Sequence, residues 1–162
     1  EISDFQKKVY SYVDTFHQKT RDDIITDFGA GYELRNTGVY ESGYEHGEFY
    51  YADEGIGFGY YEDNASGVYQ TNDFIIYSDK VDVGYGLRGG MKYPELAASF
   101  TGETIPNPPE QMDAEEWGAE WYTNCLVSGN PETGEGWVEA CYEWQDNPDN
   151  TPGVLHLGYV RT

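Results

Sequence analysis

The side chains most able to do chemistry in this sequence are carboxylates. Four glutamates fall on predicted strands among aromatic residues: Glu48, Glu120, Glu139 and Glu143. A glycosidase needs two carboxyl groups about 5–10 Å apart in a cleft walled by rings. Glu120, paired with Glu139 or Glu143 across neighbouring strands, could supply that separation. Because acidic residues are abundant along the whole chain, we expect these positions to be the solvent-facing side of half-buried strands.

Histidine and serine give no catalytic pattern. The three histidines, His17, His46 and His156, are spread along the chain and lack the companion spacing of a metal site. His156 alternates with Leu155 and Leu157, so its side chain is predicted to face away from theirs. A Gly-x-Ser-x-Gly motif is absent from the sequence. The sequence therefore predicts no catalytic residue and favours a protein that is not an enzyme.

Two turn segments carry oxygen-bearing side chains. Calcium prefers such oxygens, but aspartate and asparagine are also favoured in turns because they bond their own backbone. Calcium is the one cofactor that the sequence suggests, and its candidate ligands are Asp146, Asn147, Asp149 and Asn150. The other segment contains Asn64-Ala65-Ser66, which makes Asn64 a candidate glycosylation site.

The two cysteines are predicted to form a disulfide. Cys125 and Cys141 lie in two strand-like segments, 120–127 and 136–144, joined by a turn rich in Gly, Asn and Pro. A hairpin centred near Thr133 places them opposite each other. The bridge would close a loop of about 15 residues and stabilise the fold by about 3 kcal/mol. Disulfides persist in oxidising compartments, so we expect a secreted or cell-surface protein, and an N-terminal Glu1 is what signal-peptide removal would leave.

The charge balance excludes several classes of partner. The chain has 30 acidic residues against nine Lys and Arg, which gives a formal net charge of −21. Such a surface repels the phosphate backbone of nucleic acids and anionic lipid headgroups. No run of 18 apolar residues could span a bilayer. We therefore expect neither nucleic-acid binding nor membrane insertion, and positively charged partners remain.

Tyrosine is the other unusual feature, with 16 copies in 162 residues. Exposed rings bind protein partners at a small entropy cost or stack on sugars. Alternatively, tyrosine replaces aliphatic core residues and its hydroxyl reaches the surface. The sequence leaves both roles open for the candidate contact aromatics, which are Tyr40, Tyr44, Tyr50, Tyr51, Tyr60, Tyr61, Tyr69, Trp121 and Trp137.

Apolar periodicity predicts an α+β fold with an N-terminal amphipathic helix, a short second helix and a mostly antiparallel sheet. Apolar residues at 2, 5, 9, 12 and 16 form one stripe on a helix of about 15 residues. Thr20 caps the second helix and Gly29 ends it. From about residue 44 the period becomes two, and Gly57 and Gly59 leave one strand face bare. Segments 73–78 and 81–85 are predicted to form a hairpin, 91–102 a short helix, and 154–160 the last strand.

A weak internal repeat suggests two degenerate helix-plus-sheet units. At an offset of 72 residues, Ile24 aligns with Leu96 and Phe28 with Phe100; allowing for a longer second hairpin, Tyr60 aligns with Tyr142. The corresponding segments are 1–90 and 91–162, joined at Arg88-Gly-Gly90. We expect both to belong to one compact unit.

Taken together, these features favour a secreted or surface-exposed protein that acts by contact. Tyrosine-rich patches on an acidic surface would join it to a protein partner or to copies of itself. One alternative is a carbohydrate-binding module. The other is a small glycan hydrolase that uses paired carboxylates.

Overall fold

The computed structural model describes residues 2–63, 66–102, 108–112, 121–128 and 137–161, with the backbone alone at 126–128, 137–138 and 159–161. Three α-helices occur in this part of the chain: α1 (Asp4–Tyr12), α2 (Arg21–Phe28) and α3 (Tyr93–Ser99). Ten strands accompany them: β1 (Glu33–Val39), β2 (Glu45–Tyr51), β3 (Ile56–Glu62), β4 (Tyr69–Ile76), β5 (Asp82–Gly84), β6 (Leu87–Arg88), β7 (Glu110–Gln111), β8 (Trp121–Ser128), β9 (Trp137–Gln145) and β10 (Val154–Arg161). The predicted α+β class is confirmed.

Eight of the strands form one antiparallel sheet, in the order β1-β2-β3-β4-β10-β9-β8-β7. The last strands of the two predicted segments, β4 and β10, lie side by side, with Leu155 opposite Ile76 and Leu157 opposite Phe74. Each segment thus contributes helix first and then four consecutive strands of the sheet. Strands β5 and β6 form a separate two-stranded sheet.

Residues aligned by the internal repeat occupy corresponding elements. Ile24 on α2 and Leu96 on α3 are both fully buried. Tyr60 on β3 and Tyr142 on β9 are also buried, each in the third strand of its segment. The common ancestry of the two segments stays a prediction.

A single hydrophobic cluster lies between the helices and one face of the sheet. Helix residues such as Val9 and Ile24 pack with strand residues such as Phe58 and Leu155. Rings fill much of this cluster: Phe58 stacks on Phe74 with centroids 4.8 Å apart. Among the largest fully buried side chains are Tyr12, Tyr51 and Tyr142. Part of the tyrosine content therefore does replace aliphatic core.

The first helix is shorter than its apolar stripe predicts. It ends at Tyr12, and a 3₁₀ turn over Phe16–Gln18 follows. The hydrogen bonding changes from the α-helical to the 3₁₀ pattern here, because the Thr15 amide donates to the Tyr12 carbonyl three residues before it. Phe16 still reaches the core and is fully buried, whereas Ile2 is 49 % exposed.

The predicted hairpin of 73–78 with 81–85 is wrong. Residues 73–76 belong to β4, which pairs with β3 and β10 at the centre of the sheet. Phe74 and Ile76 are fully buried there, and a small hairpin could not bury them as completely. Strand β1, which the sequence did not indicate, is an edge strand whose seven residues lack an alternating apolar pattern.

The cap of α2 provides a first stability prediction. The Asp23 amide donates to the Thr20 hydroxyl, and the Thr20 amide donates to the Asp23 carboxylate at 3.0 Å. We expect Thr20→Ala to lower the free energy of unfolding by about 1 kcal/mol, because one amide loses its acceptor. Urea unfolding measures the change, with Thr20→Ser as the matched control. Equal stability of all three proteins would contradict this role of the cap.

Candidate functional site

The face of the sheet opposite the helices carries a groove of about 640 Å³. We call it the open groove and define it by the described residues that line it along β2, β3, β4, β10 and β9. They include Glu48, Gly59, Asp73, Tyr77, Glu139, Glu143, His156 and Gly158. Strand alternation puts these side chains on the side of the sheet that the core does not use.

Two glycines, Gly59 and Gly158, lie in the middle of this face. Gly59 lies between Glu48 on β2 and Asp73 on β4 in the sheet register. Leu157 on β10 lies opposite Phe74 on β4. Gly158 follows Leu157 along the antiparallel strand, so it lies beside Asp73 on the side away from Gly59. A Cβ at Gly59 would meet Asn72 Oδ1 at 2.9 Å, whereas a Cβ at Gly158 would have only the Glu139 carbonyl near it, at 3.5 Å. Another molecule can therefore approach the backbone closely at Gly158.

A hydrogen-bonded cluster around Glu48 forms one side of the groove. Glu48 is only 3 % exposed. Its carboxylate accepts hydrogen bonds from Arg35 Nε at 3.0 Å, from the Asn36 amide and from the Tyr77 hydroxyl. The Arg35 guanidinium also lies over the Tyr50 ring, 3.5 Å from its centroid. Burial and the bond to Glu48 raise the pKa of Tyr77. This cluster is satisfied internally and stiffens the wall.

His156 connects three strands on the other side of Gly59. Its Nδ1 lies 2.8 Å from Asp73 Oδ2 on β4, and its Nε2 lies 3.3 Å from Glu143 Oε2 on β9. Burial disfavours the imidazolium, but hydrogen bonds to both carboxylates outweigh it and raise the pKa of His156 to about 10. Burial also raises the pKa of Asp73, although the bond to His156 opposes that shift.

The contacts of His156 bear on proton transfer and metal binding at this imidazole. An imidazolium that donates through both nitrogens has no lone pair to accept a proton or bind a metal. It also fills the space between Asp73 and Glu143, where a glycosidase would place the scissile bond. Glu139 and Glu143 lie four residues apart on one strand, about 13 Å along it. Glu120, which the sequence paired with Glu139 or Glu143, lies outside the described residues, so that carboxylate pair stays a prediction.

The predicted disulfide is present. Cys125 on β8 lies directly opposite Cys141 on β9, and their sulfurs are bonded. Cys141 lines the open groove, and a Glu139 oxygen lies within 4.8 Å of both sulfurs. Disulfide sulfurs are not thiolates, so this grouping does not offer a metal the ligands it needs.

The candidate contact aromatics separate into distinct environments. Tyr51 and Tyr60 are buried in the core and offer no contact area. Tyr40 is 47 % exposed and lies at the open groove, with its ring tilted by 36° against that of His46 and the centroids 4.5 Å apart. The remaining described ones are half-buried: Tyr44, Tyr50, Tyr61, Tyr69 and Trp121. The side chain of Trp137 lies outside the described residues.

The candidate calcium ligands lie in a turn after β9 and bond their own backbone. The Asn147 amide donates to the Asp146 carboxylate at 2.8 Å. The Asp149 amide donates to the Asn147 side chain at 3.0 Å, and Asn150 donates its amide to the Asn147 carbonyl. These bonds are the ones that Asx turns form without a metal. Asn64 lies outside the described residues.

Three residues important to the open groove were not singled out from the sequence. Arg35 lies on the strand that the sequence did not indicate. Asp73 and Tyr77 did carry a usable signal, because they alternate with Phe74 and Ile76 and so had to face the other side. The partner of Asp73 is 83 residues away, and no local pattern identifies such a pair.

Gly57 supports the Glu48 cluster, since a Cβ there would collide with the Glu48 carboxylate. We expect Gly57→Ala to lower the free energy of unfolding by about 1–2 kcal/mol, because the carboxylate must leave its partners. The matched control is Gly158→Ala, whose Cβ would come no closer than 3.5 Å to the Glu139 carbonyl. Urea unfolding of both variants measures the difference. Equal stability of the two would show that Glu48 is not held in place.

The chain matches no protein-family model, no curated protein and no solved structure. None of the described helices is long and apolar enough to cross a membrane. The groove and its charged side chains are therefore the features that bear on function.

Proposed function

We propose that this protein acts by contact, as a partner-binding subunit, and that the open groove is its binding surface. The observation that carries the proposal is the groove itself. It offers about 640 Å³ beside exposed Tyr40, and the open backbone at Gly158 lets a partner come close. Concave surfaces with a few fixed polar groups are where proteins bind their ligands.

Binding to a different protein is favoured over self-assembly by the edges of the sheet. Strand β1 has a bulge between Arg35 and Gly38, and Asn36 adopts a positive φ of 52° there. Strand β7 at the other edge has two residues. Bulged and short edges resist pairing with another chain. A net charge of −21 on every copy adds repulsion.

The setting that fits this role is the outside of the cell. The Cys125–Cys141 disulfide would be maintained in an oxidising compartment. An acidic surface keeps a secreted protein dispersed and suits basic partners.

A carbohydrate ligand is a second candidate, and Tyr40 favours it. A ring that is 47 % exposed at the rim of a groove is a platform on which a pyranose can stack. The amides of Asn36 and Asn72, which also line the groove, could bond its hydroxyl groups.

The choice between partner binding and self-assembly predicts the oligomeric state. We expect a monomer in sedimentation velocity from low to high salt, because charge repels the copies and the edges do not pair. Assembly at high salt, where repulsion is screened, would instead support the self-assembling form.

A blocked groove tests the proposed function. Gly158→Tyr places a ring over the groove, and the Cβ of the new side chain would come no closer than 3.5 Å to the Glu139 carbonyl. Val68→Tyr is the control, since Val68 is 40 % exposed and does not line the groove. Peptides from a random display library, selected on the wild type, should bind Gly158→Tyr about tenfold more weakly and Val68→Tyr unchanged.

The same pair of variants on a glycan array tests the carbohydrate candidate. If a glycan binds the wild type and Gly158→Tyr abolishes that binding, the partner is a sugar and not a protein. If neither peptides nor glycans distinguish Gly158→Tyr from Val68→Tyr, the groove is not the binding surface and the proposal is wrong.

A further inference from the structure

We infer that a second pocket of about 540 Å³, beside the turn that follows β9, binds a small organic cation of the quaternary ammonium class. We call it the turn pocket. The rings of Tyr93 and Tyr122 line it, together with the carboxylates of Asp146 and Asp149. This inference goes beyond the proposed function, because it concerns another face of the sheet and another kind of ligand.

The turn pocket lies on the face of the sheet opposite the open groove. Tyr122 on β8 is directly across from Trp144 on β9, and residues paired in this way share a face. Trp144 is fully buried in the core cluster, against which Tyr93 and Tyr122 also pack. Glu143 precedes Trp144 in the strand and lines the open groove on the other face. The two sites are therefore separate.

Rings form the apolar walls of the turn pocket. Tyr93, at the start of α3, contacts the Trp144 ring edge-on, with centroids 6.4 Å apart. Pro148 in the turn, with Pro108 and Pro109 just before β7, adds three pyrrolidine rings to the lining. The faces of tyrosine rings attract cations. Such walls suit a cation that carries apolar groups.

The polar part of the lining is acidic. Asp146 and Asp149 bring two carboxylates, Asn147 brings an amide, and none of the described lining residues is basic. Both aspartates are exposed, so a cation can reach them from solvent. A net charge of −21 on the chain adds to the attraction. Charge complementarity therefore favours a cation over a neutral or anionic ligand.

Hydrogen bonds hold the turn pocket in shape. The Tyr93 amide donates to the Pro148 carbonyl at 2.9 Å, which ties the start of α3 to the turn. Within the turn, the Asn147 amide donates to the Asp146 carboxylate, and the Asp149 amide donates to the Asn147 side chain. A site that is already formed loses little conformational entropy when a ligand binds.

Size and chemistry select an alkylated cation. Small-molecule sites are about 300–1,000 Å³ in volume, and the turn pocket is about 540 Å³. A bare calcium ion needs oxygen ligands around it, whereas most of this lining consists of rings. A primary ammonium is strongly hydrated, and methyl groups on the nitrogen replace that hydration with apolar surface that aromatic rings can contact.

Choline chloride and 3,3-dimethylbutan-1-ol are matched probes, because they share a shape and the alcohol has carbon in place of the charged nitrogen. In NMR titrations at constant ionic strength, choline should move the amide resonances of Asn147 and Asp149. The alcohol should bind at least about tenfold more weakly. Equal binding of the two probes, or no movement of these resonances with choline, would overturn the inference.

Two substitutions of Tyr122 test the ring. Both remove the hydroxyl, but Tyr122→Phe keeps the aromatic face and Tyr122→Leu does not. We expect choline to bind Tyr122→Leu about tenfold more weakly and Tyr122→Phe within about twofold of the wild type. Wild-type affinity in Tyr122→Leu would contradict the inference.

Two exposed aspartates separate the turn pocket from the general acidity of the chain. Asp149→Asn and Asp22→Asn each remove one charge at the surface, where folding does not depend on burial. We expect choline binding to weaken about threefold in Asp149→Asn and to stay nearly unchanged in Asp22→Asn. Equal weakening would mean diffuse attraction and would overturn the inference.

Three further titrations separate the alternatives. Tighter binding of choline than of Nα-acetyl-trimethyllysine amide would support a free small molecule, and the reverse would support the same head group on a protein side chain. Displacement of choline by calcium chloride would indicate a metal site and overturn the inference. Weaker choline binding in Gly158→Tyr would place the cation in the open groove and also overturn it. Unchanged binding in that variant supports the turn pocket, whatever the peptide selections show for the groove.

Discussion

Replacing both cysteines, Cys125→Ala with Cys141→Ala, is expected to lower the free energy of unfolding by about 3 kcal/mol. The bridge joins residues 16 apart and restricts the unfolded chain more than the folded one. In the folded state the two residues already lie opposite each other on β8 and β9, so the pairing remains without the bond. Urea unfolding followed by circular dichroism measures the loss.

Reduction of the wild-type protein is the matched control for this experiment. A phosphine reductant should destabilise the wild type by a similar amount and leave the double variant unaffected. A difference below about 1 kcal/mol would mean that the hairpin is held together almost entirely by its strand contacts. The disulfide would then contribute little to stability, and stability would no longer be a reason to place the protein in an oxidising compartment.

His156→Gln is expected to lower the free energy of unfolding by about 2–3 kcal/mol near neutral pH. The substitution removes the positive charge that Asp73 and Glu143 share and leaves two carboxylates facing each other. Breaking a fully buried ion pair costs about 3–5 kcal/mol. The smaller value expected here reflects side chains that are 25 %, 29 % and 27 % exposed for His156, Asp73 and Glu143.

The stabilising effect of His156 should depend on pH in a defined direction. The folded state raises the pKa of this group to about 10, above the unfolded value of about 6.5. Between these values the folded protein binds the additional proton, so stability falls as pH rises. The contribution is complete below about pH 6.5 and is lost through about pH 10.

Two variants measured across this range isolate the effect. His156→Gln should lose the part of the pH dependence that the wild type owes to this imidazole. His46→Gln is the control in the same groove, because it leaves the contacts of His156 with Asp73 and Glu143 intact and should retain the part of the slope that His156 contributes. A wild-type stability that does not fall above about pH 6.5 would mean that His156 is not held as an imidazolium.

The two charged clusters give the open groove rigid walls. Glu48 with Arg35 joins β1 to β2, and His156 joins β4, β10 and β9 through its two carboxylate partners. Side chains fixed in this way lose little conformational entropy when a partner binds. A groove whose walls are fixed by these ion pairs therefore suits recognition by contact.

Features that depend on neighbouring residues could be predicted from the sequence. The capped second helix, the third helix, the last strand and the cysteine pairing follow from caps, period-two alternation and turn residues close to them in the chain. In the hairpin, the cysteines are near enough in sequence for the turn to set their register. The alternation of glycine along β3 also indicated that one face of this strand carries no large side chains at residues 57 and 59.

Features that depend on distant segments could be read only from the folded protein. It placed β4 beside β10, which brought Asp73 to His156, and it assigned Tyr51 and Tyr60 to the core while Tyr40 stayed exposed. A strand's local pattern states which face of it is buried, but not which strand lies next to it. That order depends on packing the whole core at once, because each strand placement changes the area buried by all the others.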